Sequence, residues 1–152
     1  MAYSAADGRQ QLLDTLADAA DELGLALAAL GEAYEKLDEH TADVLEEQLF
    51  RPLQLAYGRA TRCHSQFAAR HGLEDRTFQA RSAGLPSLGA KGFIESAVEA
   101  VHEADGTLAT LQDSLLPVEV GDPEVRAGLA EVRRTLNEIA PRAAHFVSRF
   151  GR

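Results

Sequence analysis

The chain reads as an all-α protein, an antiparallel up-down-up-down four-helix bundle with coiled-coil-like seams. Three observations predict this: four segments with small or apolar residues at alternating three- and four-residue steps, turn signals between them, and nearly matched segment lengths. Such steps average about 3.5 residues per turn, the period of helices that pack side by side at a shallow left-handed crossing.

The first seam is Leu12, Leu16, Ala19, Leu23, Ala26, Leu30, Ala33 and Leu37. It predicts a helix over about 4–37, with Ser4 as N-cap and Asp7 three residues on as its acidic capping partner. Carried past Leu37, this seam would use His40, Val44, Glu47 and Arg51, which is no core. A turn is therefore expected near Asp38–Thr41, with Thr41 as the next N-cap. The second seam is Ala42, Glu46, Leu49, Leu53, Ala56, Ala60, Cys63 and Phe67, in a helix over about 41–71 that Gly72 ends. Pro52 removes one hydrogen bond inside it, so a kink is expected there.

Residues 72–86 show no periodicity and form a long connection, of the kind that is usually functional or disordered. The third seam, Ile94, Ala97, Val101, Ala104, Leu108, Leu111 and Leu115, predicts a helix over about 87–116, ended before Pro117. Gly121-Asp122-Pro123-Glu124 is the clearest helix start in the chain, with Asp at the N-cap and Pro at the first helical position. The fourth helix, about 122–150, carries Val125, Leu129, Val132, Leu136, Ile139, Ala143, Phe146 and Phe150. Pro141 falls about 160° from that seam, where a bend is tolerable.

With 152 residues, the chain fits one domain able to bury a core without disulfides. Its single cysteine, Cys63, has no internal partner. The most apolar run, Leu23 to Leu30, is far shorter than the ~20 residues of a membrane span. No export signal is read near the start, and a cytoplasmic location is expected.

Charge is uneven. Residues 1–50 carry twelve acids and two bases, residues 51–91 carry seven bases and two acids, and residues 92–152 carry ten acids and six bases. A basic block in a chain of net charge −9 favours an anionic partner that the total would disfavour. In an up-down-up-down order, the turns between helices 1 and 2 and between helices 3 and 4 make an acidic pole. Both termini and the long loop make a basic pole with Arg9, Arg70, Arg76, Arg81, Lys91, Arg149 and Arg152.

Glu99-Ala-Val-His102 matches the Glu-x-x-His element of di-iron carboxylate bundles. Its side chains point about 100° and 200° off the seam, however, and no second such element occurs, so no metal ligand is assigned. Glu46 is the one charge on a seam; a hydrated position near the helix start is expected for it rather than a buried acid. His64 and His71 are expected beside the core of helix 2 rather than as metal ligands or pH sensors. Cys63 is expected as a small buried hydrophobe, its neighbour His64 projecting away from it. No haem attachment site, phosphate-binding glycine loop or nucleophile elbow is present. Catalytic residues, cofactors and metals are thus all expected to be none.

The best binding candidate is the basic loop, where arginines are interleaved with Leu73, Phe78, Leu85 and Leu88. Arg70, Arg76, Phe78, Arg81 and Lys91 are its expected contact residues. The expected function is a non-enzymatic interaction or scaffold module acting through the basic pole. Its partner would be a protein or a second copy, or an anionic surface of lipid or acidic protein, with no specific nucleic acid. The alternative that the Glu-x-x-His element raises is a carboxylate-bundle metal or redox protein.

Leu30-Gly31-Glu32-Ala33-Tyr34-Glu35-Lys36-Leu37, followed by Leu49-Phe50-Arg51-Pro52-Leu53-Gln54, resembles the central helix of BAR domains over about 25 residues. Those domains dimerise through long kinked helices and bend membranes, and a Pro-Leu-Gln step often marks the kink. The resemblance implies an alternative: an elongated, membrane-associated helical dimer with basic residues on a concave face and Arg70, Arg76 and Arg81 at a tip.

Overall fold

The computed structural model describes residues 4–79, 81–82 and 88–150. The expected helix start at Ser87, part of the 72–86 loop including Leu85, and Arg152 lie outside the described residues. Among the described residues the chain is all-helical, with no strand. Four long helical segments share one apolar core: α1 (Ala5–Glu35), the run of α2 (Glu39–Leu45), a π-helical turn (Glu46–Phe50) and α3 (Arg51–Arg70), then α4 (Ala90–Asp113) and α6 (Pro123–Phe150). A single turn, α5 (Leu116–Glu119), joins the last two.

The seams bury as their spacing demands. Leu12, Leu16, Leu23, Leu30, Leu53, Phe67, Ile94, Leu108, Leu129 and Phe146 are all in the core. One seam position, Leu115, is corrected, and Glu46 is hydrated as expected. Leu115 is 68% exposed, because α4 stops at Asp113, where Ser114 Oγ donates to the Leu111 carbonyl at 2.6 Å. Glu46 is exposed, and Leu45 takes the inward position in its place. Glu46 opens the π-helical turn, in which the Arg51 N–H reaches back to the Glu46 carbonyl. That wider turn stands just before Pro52, whose ring cannot donate and would crowd the preceding turn, so the expected kink takes the form of a π turn.

Caps fix the helix ends. The Asp7 N–H donates to Ser4 Oγ at 3.0 Å, as expected. The second cap is Asp38 rather than Thr41: its carboxylate accepts both the Thr41 N–H and the Thr41 hydroxyl, at 2.9 and 3.0 Å. A carboxylate one turn earlier offers two acceptors, and Thr41 becomes its donor. Gly72, at φ +64°, ends α3, and the Leu73 N–H returns to the Ala68 carbonyl at 2.8 Å, a left-handed stop that glycine adopts freely.

The direction of α4 differs from the expected order. A Cβ on Gly8, at the start of α1, would meet Val120 and Leu116 beyond the end of α4. Lys36, just past α1, lies over the ring of Phe93 at the start of α4. So α4 runs antiparallel to α1 and parallel to α3, and α6 runs antiparallel to α3, with Arg70 of α3 on Asp122 at the head of α6. The order is up-down-down-up, with one long crossover between the second and third helices. The segment after Gly72 travels up the side of α1 and α3 instead of closing one pole, since a chain gains about 3.3 Å per extended residue and can span a helix of this length. The acidic and basic poles therefore do not form: Arg70 and Asp122, expected at opposite poles, are in contact.

Candidate functional site

The crossover is laid along the molecule by side chains of alternating chemistry. Leu73 and Phe78 pack on the core as partly buried anchors. Phe78 meets the buried imidazole of His64 edge-on, with ring centroids 5.1 Å apart at 90°. Asp75 accepts the Ser65 hydroxyl at 3.0 Å and stands 3.5 Å from His64 Nδ1. Burial holds the His64 pKa below its ordinary value against the opposing pull of Asp75. His64 is thus a neutral wedge beneath the crossover.

The arginines of this segment converge on α1. Arg76 donates to Asp21 at 2.6 Å and lies over the Phe78 ring at 5.0 Å, and Arg81 stands 3.8 Å from the same carboxylate. Arg70 grips Asp122 with two nitrogens at 2.8 and 2.9 Å, joined by His71 Nε2 at 2.9 Å. Asp122 also accepts the Val125 N–H as N-cap of α6. Burial works to raise its pKa, but these donors prevail and hold it well below the usual carboxylate range.

The structure thus brings Arg76, Phe78 and Arg81 together on the α1/α3 face and places Arg70 at the foot of the crossover. Lys91 is separate from them: it is exposed on the first turn of α4, at the far end. Sequence spacing missed Asp21, which organises the two arginines; an acid on the outer side of an amphipathic helix carries no signal of its distant partner.

The other sequence candidates sit as follows. Glu99 and His102 are exposed on α4 and edge an apolar groove of about 570 Å³ against α6, floored by Ile94, Val98, Ala143 and Val147. Cys63 is 8% exposed at the α3/α6 contact, and burial pushes its thiol up to about 11. His64 and His71 face different partners, and among the described residues no group of three or more His, Cys, Asp or Glu residues is placed to hold a metal ion. Among the described residues, no helix is long and apolar enough to cross a membrane.

No family model, curated protein or solved structure matches this chain.

Proposed function

We infer that the chain is a non-enzymatic helical-bundle interaction module, working in the cytoplasm, whose contact surface is the crossover face with Arg76, Phe78 and Arg81. The observation that supports this reading is the sharing of one carboxylate by two guanidiniums: Arg76 and Arg81 both address Asp21 while remaining 45% and 42% exposed. Each guanidinium carries five N–H donors, and a carboxylate accepts about four hydrogen bonds. Most donors of the pair are therefore left for a second acceptor, on a segment already held in place by Phe78 and Asp75. Pre-ordering of this kind lowers the entropic cost of binding. Arg70 extends the surface at its foot. The partner is a protein with an acidic face, drawn to a basic track on an otherwise acidic molecule.

The test is a photo-crosslinking amino acid placed in the cell-expressed protein at exposed Gln79, on the crossover, or at exposed Asn137, on α6. A discrete adduct from position 79 that is absent from position 137 and lost in Arg76→Glu/Arg81→Glu is the expected result. Equal adducts at both positions, or adducts that survive the charge reversal, would overturn the reading. Salt-sensitive sedimentation with phosphatidylserine vesicles in place of a protein adduct would move the assignment to a membrane surface.

A further inference from the structure

At the end of the molecule away from Asp122, α2, the π-helical turn and α6 line a half-open cavity of about 300 Å³. His40 and Gln48 face it from α2 and the π turn, and Arg142, His145 and Arg149 face it from α6. Phe146 and Phe150, whose rings lie 5.1 Å apart, supply an apolar wall. Among the described residues, no carboxylate lines it. Elsewhere Arg59, Arg70, Arg76 and Arg133 each lie 3.0 Å or less from a carboxylate, while Arg9 and Arg126 donate to the Val120 and Pro117 carbonyls. Here Arg149 lies over the Phe150 ring at 5.6 Å, and Arg142 reaches Glu138 of its own helix only at 3.6 Å. Asp43 and Glu47, on α2 and the π turn, stand on the exposed surface beside this row. The π turn adds a second observation, since such turns recur where side chains have been re-aimed for function, and Gln48 lies within it.

We propose that this cavity binds a small organic anion, a carboxylate or phosphate group carried on a single-ring or branched apolar body. The two guanidiniums take the anionic head through charge-assisted hydrogen bonds, and His40, His145 and Gln48 complete the donor set. The body packs against Phe146 and Phe150. The volume sits at the lower end of ligand pockets, which sets the ligand at metabolite size. This site is independent of the crossover face, which lies on α1 and α3.

The test is titration of the isotope-labelled full chain, followed by amide chemical shifts, with phenyl phosphate, phenylacetate, inorganic phosphate and benzyl alcohol. Phenyl phosphate or phenylacetate is expected to saturate with shifts confined to residues 38–50 and 140–150, at least about tenfold tighter than inorganic phosphate or benzyl alcohol. Arg142→Gln and Arg149→Gln are each expected to weaken binding about tenfold, the loss of one charge-assisted hydrogen bond. His145→Gln serves as a further variant should either substitution disturb the global spectrum. The proposal is overturned if benzyl alcohol or inorganic phosphate binds as tightly as the aromatic anions. Unchanged affinity in the arginine variants, or no saturation by about 5 mM, would also overturn it.

Discussion

At Gly128 the backbone of α6 comes close enough to α3 that an added Cβ would stand 2.7 Å from Cys63 Sγ. Gly128→Ala is therefore expected to cost about 1–3 kcal/mol through overpacking. In a Cys63→Ala background the same substitution should cost less than half as much, because the obstructing sulfur is gone. Urea unfolding of the four proteins in this double-mutant cycle measures the difference. Local chemistry was legible at this scale. Ser4 and Asp122 act within three residues of themselves, so their capping roles were readable from spacing alone. Thr41 was misplaced as a cap because Asp38, also a good cap, precedes it by one turn. The pairings of Arg70 with Asp122 and of Arg76 with Asp21 join residues far apart in the chain, and no local spacing encodes them.

Among the elements, the crossover depends most on a few polar contacts. Asp21 receives both of its arginines, so Asp21→Ala should loosen residues 73–82 while leaving the helices intact. Limited trypsin digestion is expected to cut after Arg76 and Arg81 several-fold faster in the variant. Global stability should fall by no more than about 1 kcal/mol, as for other solvent-exposed ion pairs. The four seams of the long helices were legible because burial imposes the 3.5-residue period directly. The π turn was readable only as a kink at Pro52, since whether a helix absorbs a proline by bending or by widening is settled by what it packs against. The pocket between α2 and α6 was not legible at all, because it needs α2 and the last turns of α6 side by side.

For the molecule as a whole, the seams specify the helices but not their directions. Every neighbouring pair can be antiparallel in either connection order, and the choice is taken by residues 72–86, whose length reads in the sequence as a functional or disordered loop rather than as reach. The candidate contact residues inherited that error: Lys91 was grouped with Arg76 and Arg81 because a closed loop would gather them, and a crossover separates them. Small-angle scattering on a monodisperse sample is expected to give a maximum dimension near ~55 Å. That value is set by the 31 residues of α1 at about 1.5 Å each, together with the flanking turns. A value beyond ~100 Å would mean that α1 and α3 lie end to end instead of side by side.

The crossover has a mechanical consequence. Because α4 runs in the same direction as α3, the head of α1 and the tail of α6 lie at opposite ends of the core. Tension applied between residues 4 and 150 would run along the long axis, so yielding requires α1 and α6 to slide past both central helices at once. Had the helices alternated in direction, both handles would lie at one end, and the same pull would peel the helices apart one turn at a time. Single-molecule traction between those two points should therefore register one abrupt rupture rather than a gradual unzipping.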